Sequence, residues 1–256
     1  MTATFQPLGE TDFEHLARFI GAFSGPDERA RLTEQHRLAW GFWLRNLDRY
    51  ISREIRYLLF GEAVPPIGVG GYAYNDETKP RFRGAIYNGF FGKGASTRAT
   101  PEKALQDLAD AGLMILDCLP YALDYSGRRN TRAYAELVRH GLETHTAAKV
   151  HVLRERGFTF AEDLRVACAY AGLLEPLREA LAVSGGRIFG RRIEVAQPAL
   201  NVDLATGKGG RQPLGPTTRA VFELDDHELI TSPTGGRAEA ECARSVPALT
   251  KRTKSD

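Results

Sequence analysis

Two unbroken apolar runs, Tyr57-Leu58-Leu59-Phe60 and Leu113-Met114-Ile115-Leu116, constrain the fold of this chain more than any other feature. Four apolar residues in a row, without polar alternation, suit a strand that is covered on both faces. The first run stops at Gly61 and the second at Asp117. Around them the apolar spacing switches to steps of three and four. Phe13, Leu16, Ala17 and Ile20 keep that spacing, and so do Trp40, Trp43, Leu44, Leu47, Tyr50 and Ile51, a stripe that reads as core packing. Gly25-Pro26 opens the longer N-terminal helix. Thr100-Pro101-Glu102 opens another, with an N-cap, a first-turn proline and an acid. A helix is predicted from about Asn130 to Arg156 with a break near Gly141, and a shorter one over Pro176–Val183. Arg165–Tyr170 and Arg192–Ala196 read as a third and a fourth strand. Alternation of this kind predicts an α/β fold: a central, mostly parallel four-stranded sheet sandwiched between helices, with a helical N-terminus.

Residues 1–203 are expected to form this single domain. From about Leu204 onward glycine, proline, threonine and charge dominate, so 204–256 is expected to be an irregular basic extension in which Val221–Leu224 alone looks ordered. No apolar run approaches the roughly 18–20 residues that cross a bilayer. Met1–Phe5 lacks the basic start and apolar stretch of a signal peptide. A cytoplasmic monomer without a membrane partner is the expectation. Cys118, Cys168 and Cys242 are odd in number and far apart, which suits a reducing compartment and not a disulfide framework. His140, His145 and His151 lie five and six apart, off one helical face, so no metal is expected there. A net charge of +2 says little about partners. Three local clusters could neutralise phosphates: Arg128, Arg129 and Arg132; Arg187, Arg191 and Arg192; Lys208, Arg211 and Arg219.

Ligands of open parallel sheets bind beyond the carboxyl ends of the strands. Glu62 and Asp117 follow the first two runs within two positions, and the reading places both carboxylates in one crevice. Pro65-Pro66 stiffens the connection after Glu62. Gly68, Gly70 and Gly71 would let backbone approach a ligand. Tyr72, Tyr74 and Asn75 then supply flat faces and hydrogen-bonding tips, a combination suited to a planar heterocycle. No Lys-Ser/Thr follows the glycines, which argues against a phosphate loop, and no Gly-x-Ser-x-Gly elbow occurs.

Gly61-Glu62-Ala63 after a buried strand, Tyr74 twelve positions past Glu62, and Ile115-Leu116-Asp117 at the next strand end resemble motifs of the uracil-DNA glycosylase superfamily. The resemblance covers about residues 55–202. Val64 separates Ala63 from the prolines, Asp117 stands where the family has asparagine, and Gln197 stands at the histidine position of the second motif. The resemblance implies an iron–sulfur-free enzyme that flips uracil, or a related damaged base, out of single- or double-stranded DNA and hydrolyses its N-glycosidic bond without a metal or an organic cofactor. It assigns Glu62 to stabilising the sugar cation and orienting water, and Asp117 to reading the base edge. Tyr72 or Tyr74 would stack on the base. Gly61, Ala63, Val64, Asn75, Gln197 and Asn201 would complete the base pocket, while Pro65, Pro66, Arg192, Lys208 and Arg211 would grip DNA. A non-catalytic nucleotide- or nucleic-acid-binding module on the same fold is the alternative, and an enzyme acting on a free nucleoside or nucleotide is a third reading.

Overall fold

Both apolar runs are strands, and the first occupies the centre of the sheet. β1 (Glu54–Ala63) lies between β2 (Leu113–Leu119) and β3 (Thr159–Cys168), and both pairings are parallel. The computed structural model describes residues 5–21, 25–65, 69–122, 129–169, 171–195, 218–219 and 222–224. Every residue of β2 is buried, the apolar run Leu113–Leu116 and Asp117 alike. Leu58, Leu59 and Phe60 of β1 are sealed from solvent. Crossover helices join the strands: α5 (Pro101–Asp110) leads into β2, and a long helical segment leads from β2 to β3.

The order of elements follows the predicted alternation, with three differences. First, the strands run further than the apolar runs. β1 continues through Gly61, Glu62 and Ala63, and β2 through Asp117, Cys118 and Leu119. Second, the described sheet has three strands rather than four. Ile193 and Val195 are buried while Arg192 and Glu194 point outward, which is the burial pattern of a strand, yet Arg192–Val195 forms no ladder; Ala196 lies outside the described residues. Guanidinium groups take nearby carbonyls instead: Arg178 bonds Val195 O at 3.2 Å, and Arg191 bonds Ala161 O at 2.7 Å and Glu162 O at 3.0 Å. Third, the last helix is longer than predicted. Gly185 and Gly186 do not interrupt α8 (Leu174–Phe189), and Gly190, at φ +69°, ends it.

Helices α1 (Glu10–Ile20) and α2 (Gly25–Asn46) form the predicted helical N-terminus. The polar excursion after β1 contains α3 (Arg81–Phe91) and the short α4 (Ala95–Arg98). Its turn is held from inside, because buried Arg83 donates to Ala73 O at 2.9 Å and Asn75 O at 2.6 Å. Thr100 caps α5 by accepting from Lys103 N at 3.2 Å. The expected break near Gly141 is a π-helical stretch, Leu142–Thr146, between α6 (Arg132–Gly141) and α7 (Ala147–Glu155). Gly141 is required there because a Cβ would overlap the Cys118 carbonyl.

The outer edge of β2 is covered by side chains. Tyr50 donates to Leu113 O, Tyr74 accepts from Ile115 N at 2.8 Å, and Thr146 donates to Asp117 O at 3.2 Å. Polar caps of this kind satisfy backbone groups that an edge strand leaves open. Of the C-terminal extension, Thr218–Arg219 and Phe222–Leu224 are described, and they dock. Phe222 is fully buried against Tyr57 and Phe90, and Arg165 holds the Phe222 and Glu223 carbonyls. Among the described residues no helix is long and apolar enough to cross a membrane.

Candidate functional site at the carboxyl ends of β1 and β2

Gly61 and Asp117 are partners across the parallel ladder. Side chains alternate along a strand, so Glu62 projects from the face opposite to that shared by Gly61 and Asp117. The two carboxylates therefore do not open into one crevice, as the sequence reading expected, and each has its own cation.

Glu62 is clamped. Arg129 donates from Nε to Oε1 and from Nη2 to Oε2 at 3.2 Å, and the Tyr134 hydroxyl donates to Oε1 at 2.6 Å. A carboxylate accepts about four hydrogen bonds, and three of these positions are filled. The side chains of Glu62 and Arg129 keep 17% and 14% of their surface exposed. Tyr134 lies in α6 and Arg129 just before it, so the crossover after β2 supplies both partners.

Asp117 sits deeper. Its carboxylate lies over Gly61, where a side chain would overlap Oδ1. Lys149 of α7 places Nζ 3.8 Å from Oδ2, near enough for charge attraction but beyond hydrogen-bond reach. The same Nζ lies 5.4 Å from the centre of the Trp43 ring. Among the described residues Oδ2 of Asp117, the Tyr72 hydroxyl and Nε1 of Trp43 are sealed from solvent outside good hydrogen-bond geometry, although the Tyr72 hydroxyl lies close to the Asp117 carboxylate. Burial pushes the Asp117 carboxyl upward, offset in part by Lys149 and by the nearby Tyr72 hydroxyl. Burial likewise pushes the Lys149 ammonium downward, offset in part by Asp117.

The tyrosines expected to offer an exposed stacking face do not. Tyr72 and Tyr74 are buried, and the Tyr74 hydroxyl is committed to Ile115 N and to Met114 Sδ, 3.3 Å away. Asn75 is also buried and shapes its own turn, accepting from Glu77 N at 2.8 Å. Ala63 ends β1, with Val64 buried and Pro65 half-buried beyond it. Arg192 is remote from the strand ends: it pairs with Glu194 at 3.1 Å beside Leu164 and Val166 of β3. Pro66, Gln197, Asn201, Lys208, Arg211 and Arg128 lie outside the described residues. The other described members of the basic clusters are engaged: Arg132 with Glu136, Arg187 with Glu143, and Arg219 with Gly89 O.

No family model matches the chain, and no match emerges among curated proteins or solved structures.

A second polar cluster was missed by the sequence reading. His140 and His145 both place Nε2 2.8 Å from the same oxygen, Oδ1 of Asp12, while Gly9 N donates to Oδ2 at 2.7 Å. Five residues apart, the two histidines diverge on an α-helix; the π stretch, with its i to i+5 bonding, brings them to one side. His15 stacks on His140 at 4.3 Å, and His36 meets His145 edge-on at 5.2 Å. Burial raises the Asp12 carboxyl, but the bonds from His140, His145 and Gly9 outweigh it and hold the group well below the carboxylate range. Burial and the neighbouring His145 push His36 down to about 3. Among the described residues no group of three or more His, Cys, Asp or Glu is arranged to hold a metal ion. Lys149 was also missed, although a lysine at helical spacing with Leu142, Thr146 and Leu153 was a visible signal of a buried charge.

Proposed function

We propose that the carboxyl ends of β1 and β2 recognise a nucleobase-bearing ligand, a nucleotide or nucleic acid, and that this chain works there as a cytoplasmic, monomeric binding module without hydrolytic chemistry. The observation that carries this reading is the state of Glu62. With Arg129 and Tyr134 occupying three acceptor positions, the carboxylate has little capacity left to hold and activate a water. The polar groups gathered around Asp117 at the carboxyl end of the parallel sheet favour recognition of a small planar group.

A uracil-DNA glycosylase activity is the second reading. It is favoured by the place of Glu62 near the end of the central strand, with part of its surface open and one acceptor position unfilled. In that reading Glu62 alone stabilises positive charge on the sugar, and Asp117 acts deeper in the site.

Incubation with uracil-containing single- and double-stranded oligonucleotides, followed by alkali, separates the two. Binding without strand cleavage supports the module, and cleavage at the uracil supports the glycosylase. Absence of both binding and cleavage rejects the glycosylase and nucleic acid as the ligand, and leaves a binding module or an enzyme for free nucleosides or nucleotides.

A further inference from the structure

Asp12 holds two imidazoles through one oxygen. An ionised carboxylate only accepts, so the Nε2 atoms of His140 and His145, each 2.8 Å from Oδ1, both carry hydrogen. Oδ2 accepts from Gly9 N, which ties the start of α1 to the same side chain. With Nε2–H turned to Asp12, Nδ1 of each neutral ring carries a lone pair. Among the described residues Nδ1 of His145 is sealed in the interior without a partner, so a proton added there would be an N–H lacking an acceptor. His36, edge-on to His145, is closed in a similar way: its Nε2 donates to Gln6 O at 2.9 Å, and the ring feels the Lys149 cation. At the outer end His15 lies flat on His140, among Arg18, Arg139 and Glu136. Tyr121 also faces Asp12, and burial keeps its hydroxyl protonated. One buried carboxylate thus serves a group of rings drawn from α1, α2, α6 and the π stretch.

We propose that this junction is a proton-sensitive latch. With Asp12 ionised and His145 neutral it holds α1 on α6 and the π stretch. One positive charge among the rings is balanced by the carboxylate; a second, or a proton on His145, is not, and α1 is released. Rings that refuse a proton while docked accept it once released, near an ordinary pKa of about 6.5, so acid favours the released state. The downward shifts of His15 and His36, set first by burial and then by neighbouring rings, carry the same sign. The effect reaches the strand ends, because Phe19 of α1 packs on the Tyr134 ring at 5.1 Å and the Tyr134 hydroxyl holds Glu62. Release of α1 uncovers the ring behind that clamp. The latch stands whether or not the strand ends take a nucleobase.

The test follows α1 in the full chain by hydrogen–deuterium exchange across pH, corrected for intrinsic exchange rates. Protection over Glu10–Ile20 is expected to fall about tenfold or more between about pH 7 and 5, the effect of one imidazole kept neutral by docking, while α8 keeps its protection. In the double variant His140→Gln/His145→Gln the amides keep a donor near each Nε2 position and do not titrate, so the fall should shrink to less than about threefold. An equal fall in the double variant overturns the latch. So does constant α1 protection in wild type, or loss of α8 protection in step with α1. Should the double variant fail to fold, the ring-nitrogen NMR shifts of His145 in the wild-type chain decide. His145 is expected to take up its proton in step with the loss of α1 protection, and a protonated His145 beneath a protected α1 overturns the proposal.

Discussion

Gly61 and Asp117 face each other across the β1–β2 ladder, and the carboxylate of Asp117 occupies the space a side chain on Gly61 would need. The missing Cβ is what allows a charged residue to stand inside a fully buried strand. Gly61→Ala is therefore expected to force the carboxylate or the strands apart, at a cost of about 1–3 kcal/mol in urea denaturation, the usual range for an overfilled interior. Gly70, with no atom within 4 Å of its would-be Cβ, is the control: Gly70→Ala should stay near neutral. Equal stability of the two variants would show that Asp117 moves aside freely.

The same relationship explains how much of the fold was legible in the sequence. The apolar runs announced two buried strands because nothing polar interrupts them, and α5 was announced by Thr100-Pro101. The strand ends were misplaced because Glu62 and Asp117 look like boundaries to any reading by hydrophobic period. They continue the ladder because Arg129 and Lys149 neutralise them, and Arg129 lies 67 residues from its partner in the chain. That pairing is tertiary and carries no local signal. The paired histidines were hidden for a different reason, since a single π stretch changes which residues share a face. The predicted fourth strand had the right alternation, but its surroundings offer guanidinium groups in place of a ladder.

Glu62 and Arg129 should be energetically coupled. Both are partly exposed, which lowers the value below that of a sealed ion pair. Hydrogen bonds to charged groups contribute about 1.5–3 kcal/mol. A double-mutant cycle with Glu62→Gln and Arg129→Met is expected to return a coupling of about 1–2 kcal/mol. Zero coupling would mean that the clamp does not persist in solution, and would reopen a catalytic role for Glu62. If the protein does release uracil, Glu62→Gln or Asp117→Ala should each lower that rate at least about a hundredfold.

Acid should weaken the N-terminal helices. His36 is held neutral in the folded state, with its pKa depressed from 6.5 to about 3. A depressed group contributes stability that is full above its unfolded pKa and is lost as pH falls. Stability should thus decline from pH 6.5 toward about 3, at about 1.4 kcal/mol per pH unit for one group. Asp12, also depressed, adds a loss of the same sign below pH 3.8. Asp117, raised by burial, runs the other way, so the measurement is a comparison of wild type with His36→Gln across pH. The variant should be less stable at about pH 7, where it loses the bond to Gln6 O, and should show a flatter slope between about pH 6.5 and 4. Parallel slopes would remove His36 as the source of acid sensitivity.

The C-terminal extension is expected to divide functionally at its docked segment. Phe222 is fully buried between Tyr57 of β1 and Phe90 of α3, with ring centres 5.4 and 5.8 Å away, and Arg165 of β3 holds two carbonyls of the same turn. Removing a buried phenylalanine side chain costs about 3–5 kcal/mol where the site cannot collapse. Phe222→Ala, or truncation before Thr218, should therefore lower the melting temperature by many degrees, since 1 kcal/mol shifts a domain of this size by about 2–4 °C. Truncation after Thr231 keeps every described contact of the segment and should melt like the full chain. A large drop for that milder truncation would assign a packing role to residues beyond Thr231, and an unchanged Phe222→Ala would mean that the turn is held by Arg165 and Arg219 alone.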